Sequence, residues 1–225
     1  MIKINQKLDH PLEHKTECLI LACVEEKKPS GTLKKLSDEL AGVISHAFEN
    51  KRFNGNPGQA LLLNSNGKAS NLLLVGIGKS KDVTAEKICQ AAGTAAKLAE
   101  QSKFKSIAAD LSAFEGIAKG KGGLYRELAC AMAEGVGLAL YHFDNYKSRD
   151  EKDDPPSRIE KLTLLTASKS RQASIEKSIA RAEKIINAVH TARDLISHPG
   201  NTAPPTFLAD PVSSTHLTLP TLLLV

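Results

Sequence analysis

Two runs of almost unbroken apolar residues, "ECLILACV" (Glu17–Val24) and "NLLLVGIG" (Asn71–Gly78), most constrain how this chain can fold. A strand with one face in water alternates apolar and polar residues, whereas a run without alternation needs cover on both faces. The segments between such runs supply the cover. After Pro29-Ser30-Gly31, residues Leu33, Leu36, Leu40, Val43, Ile44 and Ala47 recur at helical spacing. "QALLLN" and "NLLLVGIG" flank the turn "SNGKAS", which predicts two paired strands. Thr84 is placed to cap a helix whose apolar face runs from Ala85 through Ile88 and Ala92 to Ala99. "SIAAD" predicts a further strand, Gly122 to Tyr141 a helix and "KLTLLTA" another strand. Ile175, Ile179, Ala182, Ile186, Val189 and Ile196 mark one side of a long final helix. Strands alternating with helices predict an α/β fold: a mixed, mostly parallel sheet flanked by helices, with one antiparallel member from the early strand pair.

Composition narrows the class without naming a function. Charged residues at 24% and hydrophobic ones at 41% exclude a disordered chain of 225 residues. The formal charge of +5 comes from lysines dispersed among acids, which permits nucleic-acid contact without demanding it. The dense cluster Lys147–Arg158 mixes both signs and reads as a solvated loop. Cys18, Cys23, Cys89 and Cys130 form no C-x-x-C pair and read as buried, reduced thiols, with Cys18 and Cys23 on opposite sheet faces. The opening "MIKINQKLDH" has no apolar signal core and no run reaches membrane-spanning length, so the expectation is a cytoplasmic protein with no membrane partner.

Several motifs imitate chemistry. Gly78-Lys79-Ser80 ends like a phosphate-binding loop, but the required first glycine falls on Leu73, inside the apolar run. Gly76-x-Gly78 starts a dinucleotide fingerprint whose third glycine is replaced by Lys81. A plain strand-to-helix turn is expected. "HPLEH" matches an inverted zinc-protease pattern, which needs His10 and His14 on one helical face. Pro11 disfavours helix at His10, so the expectation is an exposed loop preceding the first strand, with two unrelated histidines. Asp110 and Asp144 are lone carboxylates expected in capping or surface roles, and "KGKGGLYRE" (Lys119–Glu127) reads as a flexible loop feeding a helix rather than an anion site. No catalytic, cofactor-binding or metal-binding residue is assigned.

Three segments carry a resemblance. "NLLLVGIGKSKDVTAEKICQAAGTAAKLAE" resembles the strand, glycine turn and alanine-rich helix of leucyl (cytosol) aminopeptidases. "AEGVGLALYHFDNYKS" (Ala133–Ser148) resembles that family's E-G-x-x-L-x-x-Y-x-F-x-x-Y-K segment. "AEKIINAVHTARDLISHPGNTAPPTFLAD" resembles its linker helix, although "SHPGN" stands where the family often has Asn-x-Pro. The resemblance implies a macro-like α/β domain over residues 1–168, a linker helix over 169–196 and the start of a catalytic domain over 197–210.

For a full-length parent it implies a cytoplasmic, hexameric exopeptidase that removes N-terminal residues from peptides, with two divalent ions (zinc, manganese or magnesium) holding the attacking water. The family's metal-binding K-G-x-x-x-D-x-G-G and N-A-E-G-R-L segments do not occur, so the chain by itself is expected to be inactive and to hold no metal. Residues 211–225, without a single charge, are expected to be a non-native tail. The alternative is a macro-like binding module for an ADP-ribose-type ligand or DNA.

Overall fold

In the computed structural model, which describes residues 2–119, 122–148, 158–202 and 204, the two apolar runs lie side by side at the centre of one sheet. Strand β1 spans Lys3–Leu8, β2 Thr16–Val24, β3 Ala60–Asn64, β4 Ala69–Gly78, β5 Ser106–Asp110 and β6 Lys161–Thr166. The order is β1-β6-β5-β2-β4-β3, and every pairing is parallel except β3 against β4. This is the expected mixed sheet, with its antiparallel member at an edge.

Helices α1 (Gly31–Glu39) and α2 (Val43–Glu49) cover one face, against Leu19, Leu21, Leu72 and Leu74. The other face carries α3 (Ala85–Gln101), the short α4 (Ser112–Ile117), α5 (Gly122–Ala139) and α6 (Gln172–Ser197), packed over Cys18, Ile20, Leu73 and Val75. Burial on both faces is what removes alternation from β2 and β4. Cys18 and Cys23 do lie on opposite faces. Burial pushes the Cys18 and Cys130 thiols up to about 12 and raises Cys23 as well, so these sulfurs stay protonated and unreactive at neutral pH.

Four features depart from the sequence reading. Strand β1 precedes the expected first strand; only its Ile4 is buried, and two lysines, two amide side chains and the exposed Leu8 make up the rest. The single helical register from Leu33 to Ala47 breaks into two helices at Ala41 and Gly42, both with positive φ (54° and 76°). There the Gly42 amide donates to the Ser37 carbonyl at 2.7 Å, ending α1, and the Ser37 hydroxyl accepts from the Ser45 amide at 2.8 Å. The short α4 has no counterpart in the sequence reading. The apolar side of α6 docks only as far as Ile186; Val189 is half-buried and Ile196 is 84% exposed.

Small residues set the spacing of the helical layer. A Cβ on Gly135 of α5 would lie 2.2 Å from the Cys89 carbonyl oxygen and 2.8 Å from the Ala92 Cβ, so α3 and α5 touch through backbone. A Cβ on Gly137 would meet the Ile186 Cδ1 at 2.3 Å, so this glycine leaves the space in which the Ile186 side chain of α6 sits. Thr84 caps α3 as expected, its hydroxyl accepting from the Lys87 amide at 3.3 Å.

Candidate functional site

The glycine turn is packed, not open. The Gly76 amide donates to Gln59 O at 2.8 Å and the Gly78 amide to Gly55 O at 3.0 Å. A Cβ on Gly76 would lie 2.0 Å from Asn56 O. These glycines let the loop before β3 cross the end of β4, and their N–H groups are already used, so they form no phosphate cradle.

"HPLEH" lies in the β1–β2 connection rather than before the first strand, because β1 is itself a strand. It is a turn, with the Glu13 amide donating to His10 O at 2.9 Å, and no helix brings the two imidazoles to one point. His10 is exposed, but His14 is buried, its Nδ1 3.1 Å from Asp9 Oδ2, which also accepts from Lys7 Nζ at 2.8 Å. The expectation of an exposed loop with two unrelated histidines therefore fails in its exposure at His14. Its Asp9 partner sits one residue outside the motif, which is why the motif gave no hint of it. Among the described residues, no group of three or more His, Cys, Asp and Glu side chains is placed to hold a metal ion. The donor set that a pair of divalent ions requires is not found there.

Two places in the fold gather polar groups on apolar ground. The first is a clasp where α5 ends. Tyr141 donates its hydroxyl to Asp194 Oδ1 at 2.8 Å, and Arg193 donates from Nη1 to Leu138 O at 2.8 Å while its guanidinium lies 5.3 Å from the Tyr141 ring. His190 packs on Tyr141 with ring centroids 5.0 Å apart, its Nε2 3.2 Å from Gly137 O; burial holds this imidazole below its usual range, favouring the neutral form. Tyr146 and His198 meet at 2.7 Å, with the Phe143 ring beside them. Asp144, expected in a surface role, pairs with Lys147 at 2.9 Å and with Arg158, and Lys147 in particular holds its carboxyl below the ordinary range. Two of the three segments that carried the resemblance thus meet in space: Tyr141, Phe143 and Tyr146 from one, His190, Arg193, Asp194 and His198 from the other.

The second is a crevice of about 240 Å³ at the carboxyl ends of β2 and β5, closed by α1 and α4. The chain leaves β2 toward the α1–α2 face, whereas the α5 that follows β5 lies on the other face. Adjacent parallel strands whose connections depart to opposite faces open a crevice between them, the usual ligand position in an open α/β sheet. Asp110, at the end of β5 opposite Leu21, is 4% exposed and lines the crevice. Its Oδ1 accepts from the Ser112 amide at 3.0 Å and its Oδ2 from the Ser112 hydroxyl. Burial raises its pKa above the ordinary value, opposed by those two hydrogen bonds. Asp110 stands one residue before the Leu111 N-cap of α4 and turns the chain through Ser112 rather than capping the helix, and its place in a crevice depends on the strand order, which no local pattern carries. The glycine-rich segment Lys119–Glu127 is only partly described, residues 120 and 121 lying outside. Most of the expected loop over 147–158 and all of residues 205–225 also lie outside the described residues.

The profile of the cytosol aminopeptidase family's N-terminal domain matches residues 20–150. A probable cytosol aminopeptidase of Geobacter sp. (strain M21) is 33% identical over 211 residues, covering 92% of this chain and 40% of the relative. The cytosol aminopeptidase of Pseudomonas aeruginosa (strain PAO1) is 35% identical over 199 residues, covering 87% of this chain and 38% of the relative. A mutant of tomato leucine aminopeptidase superposes with a TM-score of 0.78 at 26% identity, covering 96% of this chain and 42% of that one. The bottromycin maturation enzyme BotP gives a TM-score of 0.63 at 25% identity, covering 88% and 36%. The chain therefore spans about two-fifths of the length of these relatives.

Proposed function

Because this chain belongs to the cytosol aminopeptidase family, through that family's N-terminal domain, we propose that it is the assembly and regulatory portion of a cytoplasmic leucyl aminopeptidase. On this reading residues 1–168 form the macro-like domain, 169–196 the linker helix and 197–210 the approach to a catalytic domain. The parent removes N-terminal residues from peptides, works as a hexamer and uses two divalent ions. Those ions supply the activated water and polarise the scissile carbonyl. The side chains of the described residues do not fit them, so no step of that chemistry is assigned to this chain.

The observation that carries the reading is the clasp. Arg193 and Asp194 tie the last turns of α6 to the end of α5, so α6 leaves the sheet in a fixed direction. A domain that must present a separate catalytic unit needs such a fixed exit. The relatives' own name supports the cytoplasmic placement, and among the described residues no helix is long and apolar enough to cross a membrane.

The test is hydrolysis of leucine-p-nitroanilide by the purified chain, with and without added manganese. The expected result is no turnover under either condition. Manganese-dependent turnover that rises with the concentration of the chain would overturn the reading.

A further inference from the structure

The crevice between β2 and β5 has a shape and charge that the proposed assembly role does not use. Its volume of about 240 Å³ lies below the roughly 300–1,000 Å³ of sites that take drug-sized molecules. A dinucleotide would not fit within it, whereas a single branched aliphatic group with a polar head would. Leu21, Leu33, Leu36 and Ile117 give it apolar walls. Its ionisable lining groups are Asp110, Glu26 and the Cys23 thiol, which burial keeps protonated, and no Lys, Arg or His stands among the lining residues. His10 acts on Asp110 from outside the lining, but the two carboxyls within it disfavour phosphate and favour a protonated amine. Each Asp110 oxygen accepts one hydrogen bond from Ser112, and a carboxylate oxygen has room for a second. A buried carboxylate gains most from a partner that brings the opposite charge into the same dry space.

We propose that this crevice is a binding site for a small branched aliphatic amine, about the size of leucine, with its ammonium on Asp110 and its alkyl group between Leu33, Leu36 and Ile117. The N-terminus of a short peptide presents this chemistry, and so does a free amino acid whose carboxylate points out of the crevice, away from Asp110 and Glu26. The site stands on the crevice alone and is independent of whether the parent hydrolyses peptides.

Gly116 offers a clean test. It lines the crevice, its φ is not in the left-handed region, and a Cβ there meets nothing within 4 Å. Gly116→Leu therefore fills the crevice without a backbone clash. Calorimetric titration of the full chain with isoamylamine and L-leucine is expected to give saturable binding with a dissociation constant of about 1 mM or tighter. Isocaproate, which lacks the amine, should bind at least about tenfold more weakly, the worth of one hydrogen bond to a charged group. Gly116→Leu should abolish binding with an unchanged circular dichroism spectrum, and Asp110→Asn should weaken it at least about tenfold. Leucyl-glycine in place of leucine separates the two sources, and tight binding of either supports the amine site. No saturable binding of either amine, equal binding of isocaproate, or binding indifferent to both substitutions would overturn it. So would saturable binding of ADP-ribose that Gly116→Leu removes.

Discussion

A single missing methyl group decides whether α3 and α5 can meet. At Gly135 the added carbon would stand 2.2 Å from the Cys89 carbonyl, a backbone atom that cannot swing aside. Gly135→Ala is therefore expected to destabilise the fold by about 1–3 kcal/mol despite alanine's better helix propensity. Urea unfolding checks this, and an unchanged or raised midpoint would show that the helices can separate freely. Asp110 supplies a second residue-scale prediction. Its pKa is raised in the fold above its ordinary 3.8, chiefly by desolvation. A carboxyl with a raised folded pKa favours the native state while protonated, and that contribution is lost as pH climbs through the folded value. Relative to Asp110→Asn, the native chain should lose stability as pH rises from ~3 to ~7. Paired urea titrations across that range measure the difference; a difference that stays constant or moves in favour of the native chain with rising pH contradicts the assignment. Neither position advertised itself in the sequence. Gly135 is one glycine among several, and Asp110 follows "SIAA" as an ordinary strand-end carboxylate would.

Elements were legible in proportion to how completely they are buried. β2 and β4 announced themselves because cover on both faces leaves no polar position to interrupt the run. α3 was readable from Thr84 and its alanine face, since cap and stripe agreed on one start. β1 was not, because an edge strand with one buried side chain has no alternation to detect, and its lysines protect the open edge instead. The helix after Pro29 looked continuous because apolar spacing survives the turn at Ala41 and Gly42, where the change is one of backbone dihedral. α6 was over-read at its far end, where the isoleucine spacing persists beyond the core that would receive it. The two ends of that helix make a contrasting pair of predictions. Ile186 is 1% exposed, and Ile186→Ala should cost about 2–5 kcal/mol. Ile196→Ala should fall within about 0.5 kcal/mol of the parent chain. Equal losses at both positions, measured by denaturant midpoints, would mean that Ile196 is covered in solution.

At the scale of the molecule, α6 and the sheet share one core. Ile175, Ile179, Ala182 and Ile186 belong to the same buried cluster as Ile20 and Leu73, so α6 and the sheet should unfold together. The described residues hold no cluster fit for a metal, and EDTA is therefore expected to leave Tm unchanged by circular dichroism. A chelator-induced fall in Tm would mean that a metal contributes to the fold. The family's chemistry could not be read from local residues here, since the resemblance rests on segments that shape a scaffold. Strand order, likewise, is a property of the whole chain: it alone brings Asp110 beside Leu21.

Strand β1 has one more consequence, for how the protein is made. Its partners are β6 and, through Gln6 donating to Glu176 at 2.7 Å, a residue 170 positions later. Strand β1 must therefore wait until β6 has been synthesised before it can dock. With translation running at roughly 5–20 residues per second, the outer edge of the sheet stays open for about ten seconds or more of synthesis. Nascent chains stalled before β6 emerges carry that open edge, which makes this interval the one in which a chaperone has most to shield.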